Sequence, residues 1–228
     1  MKKSLCIAFD LDDTLYKERD FVMSGRAAVA RHFSSNARMS SEKLMSLMCS
    51  ADNAFDALLA ILEIKNNGTQ ISDVLDVYRN HFPHICLPQE SRDVLAEVKT
   101  MDAYVGIITD GRKTTQWNKI KALGLDAIID GRNIIVSEDI GADKITSRPF
   151  EIMMERCPAM RYVYIGDNPS KDFRQARRLG WITVMLLDKD GYNVHSQDMN
   201  NLGDDYRPDF TIENIKDLTK NIIPCLLH

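Results

Sequence analysis

The chain has 228 residues, 44% of them hydrophobic and 27% charged, with a formal net charge of −4. That length holds one substantial core plus a smaller lobe, and the acidic balance excludes a general binder of nucleic acid or anionic membrane surfaces. The 5 cysteines (Cys6, Cys49, Cys86, Cys157 and Cys225) form no C-x-x-C pair, which argues against a disulfide scaffold or a zinc site and for a cytoplasmic setting.

The first predicted element is a strand, Leu5-Cys6-Ile7-Ala8-Phe9, which ends abruptly in Asp10, Asp12 and Asp13, followed by Thr14. The run after the basic start is too short for a signal peptide, and nowhere does the chain reach the ~18 consecutive apolar residues of a membrane span. Unpaired carboxylates are costly inside a buried strand. At a strand's carboxyl end they can face a crevice, where open α/β sheets bind ligands. Side chains two apart on an extended backbone point the same way, so Asp10 and Asp12 share a site while Asp13 points elsewhere. Two carboxylates ~4 Å apart repel by about 4 kcal/mol at an effective dielectric near 20. A divalent cation held by oxygen ligands relieves that repulsion. The alternative for such a cluster is a solvated strand end or a helix N-cap.

From about Met23 to Ala103 the pattern is helical. A first helix holds Ala27, Ala28, Ala30, His32 and Phe33, and a second, capped by Ser40 or Ser41, holds Leu44, Met45, Leu47 and Met48. Phe55, Leu58, Leu59 and Leu62 recur at helical spacing until Asn66-Asn67-Gly68, and Ile71, Val74, Leu75 and Tyr78 make a fourth helix ending near Pro83. Met-rich helices of this kind read as a packed bundle. His81 and His84 have metal-ligand spacing, but Pro83 between them breaks helical geometry and no third ligand is at hand.

From Gln89 helices and strands alternate. Helix SRDVLAEVKTM feeds the strand Tyr104–Ile108, which ends in Thr109-Asp110-Gly111. A helix from Thr114 to Leu123 stops at Gly124, and an apolar run, Ala127-Ile128-Ile129, leads to a strand over 133–136. Pro149-Phe150 opens another helix, and Tyr162–Ile165 is a strand stopping at Gly166-Asp167-Asn168-Pro169-Ser170-Lys171-Asp172. A basic helix near 173–179, a strand over 181–186, a polar loop over 188–205, a strand over 209–212 and a terminal helix complete the chain. Such alternation gives a parallel, helix-covered sheet. The opening strand joins it, so residues 1–16 and 89–228 form the core and 17–88 a helical insertion. Asp10 and Asp12, Thr109 and Asp110, and Asp167 and Asp172 then lie at one edge of the sheet.

FDLDDTL at 9–15 resembles motif I (D-x-D-x-T) of the haloacid dehalogenase (HAD) superfamily, and Ile107-Ile108-Thr109-Asp110-Gly111 resembles its motif II. Lys144 after Gly141 is placed like the motif III lysine, and Gly166–Asp172 is similar to motif IV, G-D-x-x-x-x-D. One departure stands out: Ile145 follows Lys144 where proline is usual, which leaves Lys113, Lys171 and Arg148 as rivals.

The resemblance implies a Rossmannoid α/β core with a helical C1 cap inserted after the first strand. It also implies a phosphatase of small phosphomonoesters, such as sugar phosphates or nucleotides, working through an aspartyl-phosphate. Asp10 is the implied nucleophile and Asp12 the acid–base; Thr109, Asp110, Gly111 and Lys144 bind the phosphoryl group. Mg²⁺ is the implied cofactor, held by Asp10, the backbone carbonyl of Asp12, Asp167 and Asp172, with Asp172 reaching it through water or orienting Lys144 instead. Asp12 speaks against the dehalogenase branch, which lacks an acid two residues after the nucleophile. Lys17, Arg19, Arg26 and Arg112 are candidates for specificity. The expected partner is a small-molecule phosphate ester, not nucleic acid or membrane, with the chain a monomer or homodimer. The alternatives are a β-phosphoglucomutase-like phosphotransferase and a receiver-like phosphoacceptor module.

Overall fold

The computed structural model describes residues 2–64 and 68–227; the expected stop at Asn66-Asn67 lies outside them. The opening strand β1 (Lys3–Phe9) is followed by four consecutive helices, α1 (Glu18–Ala37), α2 (Ser41–Ser50), α3 (Ala54–Ile64) and α4 (Ile71–Asn80). Helix α5 (Gln89–Lys99), β2 (Ala103–Thr109), α6 (Lys113–Ala122), β3 (Ile134–Val136), α7 (Ser137–Ile140) and α8 (Arg148–Arg156) come next. The chain ends with β4 (Ala159–Gly166), α9 (Arg174–Arg178), β5 (Ile182–Leu186), β6 (Phe210–Ile212) and α10 (Ile223–Leu227).

All strands are parallel, in the order β3-β2-β1-β4-β5-β6. β1 is buried on both faces, as parallel strands flanked by helices are. Leu5, Ile7 and Phe9 enter one core with Val94, Leu95 and Ile120. Cys6 and Ala8 enter the other with Phe150, Met153 and Trp181. Since β2 and β4 flank β1 on opposite sides, the crevice beyond its carboxyl end lies where the strand order reverses.

Helices α1–α4 share a third core, built from Val29, Phe33, Leu44, Met48, Leu58 and Val74. Helix α1 begins earlier than its apolar spacing suggests, at Glu18, because Asp13 accepts the Glu18 N–H at 2.9 Å. A carboxylate at that position offsets the helix dipole. Ser40 caps α2 as expected, accepting the Lys43 N–H at 3.3 Å. The helical insertion rests on α6, where Thr115 donates to the Arg79 carbonyl at 2.9 Å and the Asn118 side chain to that of His81 at 3.2 Å. The apolar run 127–129 starts at the end of a short 3-10 turn, Leu125–Ala127, and buries Ile129 in the core before β3. No helix among the described residues is long and apolar enough to cross a membrane.

Candidate active site

Asp10 follows β1 directly and is anchored by its own N–H, which donates to the Ile165 carbonyl of β4 at 2.8 Å. Its Oδ1 accepts from Lys144 Nζ at 2.7 Å. Lys144 also touches Asp172 Oδ1 at 2.6 Å, and all three side chains are almost fully buried. Lys144 is thus the lysine at the carboxylates. Of its rivals, Lys113 pairs with Asp139 and Arg148 with Glu155, while Lys171 lines the same cleft 4.0 Å from Asp110 Oδ2.

Asp172 reaches Lys144 because its other oxygen is fixed, accepting the N–H groups of Asp167 at 3.1 Å and Asn168 at 2.8 Å. Gly166 makes room for that carboxylate; a Cβ there would run into Asp172 Oδ2. The phenol of Tyr164 donates to the Ile108 carbonyl at 3.2 Å and lies 3.4 Å from Asp172 Oδ1, which closes this group from behind.

Asp12 faces a different set of partners. Its Oδ1 accepts from Tyr16 at 2.6 Å and Lys119 Nζ at 2.8 Å. Its Oδ2 accepts from Gln116 Nε2 at 2.9 Å and from the same Lys119 at 2.9 Å. Gln116 also donates to Thr109 Oγ1 at 2.6 Å, linking Asp12 to the end of β2. Gly111 lies at φ 146, and a Cβ there would crowd the Gln116 side chain. The Gly111 N–H, a candidate phosphate donor, is given to Ser137 Oγ at 2.9 Å. Asp110 accepts the Lys144 backbone N–H at 3.1 Å through Oδ1, and its buried Oδ2 has no hydrogen-bond partner.

The loop over 188–205 also reaches the site. Asn193 Nδ2 donates to Asp167 Oδ2 at 3.0 Å, and Gln197 Nε2 to the Asp167 carbonyl at 2.9 Å. The Val194 N–H donates to Asp13 Oδ2 at 2.8 Å, while Lys17 bonds Asn193 Oδ1 at 2.8 Å. Asp13 sits at φ 56, a left-handed conformation that aspartate tolerates, and ties this loop to the start of α1.

Asp10, Asp12, Thr109, Lys144 and Asp167 line one cleft of about 90 Å³, joined by Lys171 and His195. Lys17, Arg19, Arg26 and Arg112 do not line it. Arg19 stacks instead on Tyr192, 4.8 Å from the ring centroid. Of the histidine pair, the His81 ring is held locally, Nδ1 lying 2.6 Å from the Tyr78 carbonyl and Nε2 3.2 Å from Ser24 Oγ.

Asp10, Asp167 and Asp172 each present a carboxylate oxygen, all within 4.8 Å of one another. Burial pushes Asp10 up to about 8, with the Lys144 charge opposing it and Asp172 and Asp12 adding to it. Burial likewise raises Asp167 to about 9, reinforced by Asp10 and Asp172. Burial would lower Lys144, but the charges of Asp10 and Asp172 outweigh it and hold the ammonium well above its ordinary value. Asp10 and Asp167 thus form an electrostatically frustrated pair that a small hard cation such as Mg²⁺ would relieve, and their oxygen donors suit that ion. With both oxygens engaged, Asp172 fits better as the anchor of Lys144 than as a direct ligand.

Asp12 runs the other way. Burial pushes it up, but Lys119, Tyr16 and Gln116 outweigh that and leave it below its ordinary value.

Sequence reasoning placed Asp10, Asp12, Thr109, Asp110, Asp167 and Asp172 at one strand edge and the resemblance added Lys144, and the fold brings these residues together. It missed Tyr16, Gln116, Lys119, Asn193 and His195. The usable signal was the i, i+3 pair Gln116 and Lys119 on the helix directly after Thr109.

A family model described as haloacid dehalogenase-like hydrolase matches residues 7–186. The chain is 31% identical to a glyceraldehyde 3-phosphate phosphatase of Methanocaldococcus jannaschii, over 95% of this chain and 97% of that one. It is 26% identical to a protein of the same name from Methanopyrus kandleri, over 93% of this chain and 94% of that one. Among solved structures it is similar to the putative HAD-hydrolase YfnB of Bacillus subtilis bound to magnesium, with a TM-score of 0.65 and 18% identity over 96% of this chain and 98% of that one. At that identity the likeness is one of fold.

Proposed function

The chain belongs to the haloacid dehalogenase-like hydrolase family and is a hydrolase of phosphate esters, and from that premise we propose that it is a Mg²⁺-dependent phosphatase of a short sugar phosphate, glyceraldehyde 3-phosphate or a close relative, acting in the cytoplasm. One observation carries the phosphatase reading: Lys144 Nζ lies 2.7 Å from Asp10 in a cleft that Thr109 and Asp167 also line. A carboxylate nucleophile, a fixed ammonium and a hydroxyl around one small space suit phosphoryl transfer. The substrate class is supported by the name the two archaeal relatives share. The cleft supports it too, being about 90 Å³ and lined, among the described residues, by no Phe, Tyr or Trp ring against which a nucleobase would stack. The five unpaired cysteines support the compartment.

In the first step an Asp10 carboxylate oxygen attacks phosphorus. The bond from Asp10 to phosphorus forms, the ester P–O bond breaks, and Asp12 gives its proton to the departing alkoxide oxygen. In the second, a water oxygen attacks the same phosphorus and hands a proton to the Asp12 carboxylate. The bond from phosphorus to Asp10 breaks, and inorganic phosphate leaves. Lys144, held by Asp172, and the Thr109 hydroxyl bind the phosphoryl oxygens throughout. Mg²⁺, held by Asp10, the Asp12 carbonyl and Asp167, would screen the nucleophile from the incoming dianion. Residues 17–88 act as a cap over the cleft, excluding bulk water.

Phosphate release from glyceraldehyde 3-phosphate, sugar phosphates and nucleotides, with Mg²⁺ and with chelator, tests this. Metal-dependent release that favours the three-carbon ester supports the reading. Preference for nucleotides overturns the substrate class, and the absence of release from every ester overturns the function.

A further inference from the structure

Lys119 is the buried cation that the mechanism above leaves unused. Its side chain is 3% exposed, yet its position in the polar helix KTTQWNKIKA would suggest a solvated lysine. The ammonium bridges both Asp12 oxygens at 2.8 and 2.9 Å, lies 3.6 Å from Glu18 Oε1 and sits 4.2 Å from the centroid of the Phe21 ring. Burying a lysine is expensive unless it is paired. Here α1 supplies Glu18 and Phe21, and the turn after β1 supplies Asp12.

An ionised carboxylate has about four lone-pair positions. At Asp12 the donors are Tyr16 and Lys119 on Oδ1, and Gln116 and Lys119 on Oδ2, so all are taken. A substrate oxygen or water that approaches Asp12 has to displace one of them. Gln116 is neutral and shared with Thr109, so it is the donor most readily given up. Lys119 contacts both oxygens and is charged, so it stays and fixes the plane of the carboxylate.

We propose that Lys119 is a positioning residue for the proton-transfer step, holding the Asp12 carboxylate aimed at the leaving-group oxygen. The proposal rests on the phosphatase reading, with Asp12 as the acid–base. It separates Lys119 from Lys144, which binds the phosphoryl group. It also makes the aim of Asp12 depend on the seating of α1, because Glu18, Phe21 and Tyr16 frame the same ammonium and carboxylate.

The test compares two leaving groups with Lys119→Met in the intact, Mg²⁺-loaded protein. Glycerol phosphate releases an alkoxide that needs a proton. p-Nitrophenyl phosphate releases a stable phenolate that does not, and its first-turnover burst reports phosphoryl transfer to Asp10 alone. The expected result is a fall of about tenfold or more in kcat for glycerol phosphate with KM little changed, while the p-nitrophenolate burst rate stays within about threefold of wild type.

Because Lys119→Met strands two carboxylates, Lys119→Met combined with Glu18→Gln is measured alongside, and the same split is expected. A burst that falls together with glycerol phosphate turnover, in both variants, overturns the proposal and makes Lys119 a structural or phosphate-binding residue. Unchanged glycerol phosphate turnover overturns it too. Wild-type protein that turns over neither of these esters, nor glyceraldehyde 3-phosphate nor any other ester of the panel above, overturns the phosphatase reading itself, an outcome distinct from either.

Discussion

Asp10 and Asp12 stand two residues apart on one strand end, yet the fold treats them in opposite ways. Asp10 has a single cation beside it, and that cation is shared with Asp172. Asp12 has a cation bonded to both of its oxygens, with Glu18 more distant from it at 3.6 Å, plus two neutral donors, Tyr16 and Gln116. Burial is the first influence on both, and only at Asp12 do the partners overcome it, so Asp10 is raised to about 8 while Asp12 is lowered. Environments that drive two neighbouring carboxyls apart usually mark an acid–base pair. Taken literally, the directions would make Asp10 the protonated partner. A divalent cation between Asp10 and Asp167 would lower both of those carboxyls and so oppose that ordering, since metal charge dominates local proton affinities. The asymmetry teaches that the Asp12 charge is balanced by side chains of the chain itself, whereas the Asp10, Asp167 and Asp172 carboxylates form a cluster that could hold an ion.

Removing the nucleophile breaks the comparison most severely. Asp10→Asn is expected to lower phosphate release on the order of 10⁵-fold for every ester, because no covalent step remains. Steady-state release measured against a vector-only preparation checks it, and an active Asp10→Asn protein would move the nucleophile elsewhere. Asp12→Asn is expected to cost roughly 10²–10⁴-fold on alkyl esters while sparing the first-turnover burst with p-nitrophenyl phosphate. An equal loss on both would mean that Asp12 helps to bind phosphate or metal and transfers no proton.

Gly166→Ala sharpens the Asp10 half without touching a reacting group. The new methyl would collide with the Asp172 carboxylate, displace it from the Asp167 and Asn168 N–H groups, and shift Lys144. Crowding of this kind costs about 1–3 kcal/mol of stability. Misplacing Lys144 by even ~1 Å is expected to lower kcat/KM about 10²-fold. Kinetics beside a denaturant melt check both. A stable variant with unchanged kcat/KM would show that the Asp172–Lys144 contact is dispensable.

The two halves were unequally legible in the sequence. Asp10, Asp167 and Thr109 end apolar strands, where a polar residue breaks a period-two pattern and its position along the strand gives its position in the fold. The sheet was legible for the same reason, β1 alternating Leu5, Ile7 and Phe9 against Cys6 and Ala8. Lys119 lies among Lys113 and Lys121 on a helix with no apolar stripe, and only the tertiary pairing with Asp12 buries it. The loop over 188–205 has neither periodicity nor apolar anchors. Its contacts through Asn193 and Gln197 exist only once β4 has placed Asp167.

The smallest effect isolates the proposal that the Asp10 side holds Mg²⁺. Asp10 and Asp167 rise from the ordinary 3.8 to about 8 and about 9, and Glu18 rises to about 7 from 4.5. A carboxyl whose folded value exceeds its unfolded one holds protons that the unfolded chain has already released. Its contribution to stability is therefore full below about pH 4 and is lost as pH climbs through the folded values. Asp12 has the opposite sign, but its contribution is lost only in acid below its ordinary 3.8. Chelated protein should accordingly melt at progressively lower temperature from pH 6 to 9. Mg²⁺ bound to the ionised carboxylates of the native state would stabilise it by mass action. Its upward shift in Tm should be small at pH 6 and grow to several degrees by about pH 8.5. In Asp167→Asn the shift should vanish and the decline with pH become shallower, since one raised carboxyl is gone. A Mg²⁺ shift that is the same at every pH would mean that the ion binds somewhere other than between Asp10 and Asp167.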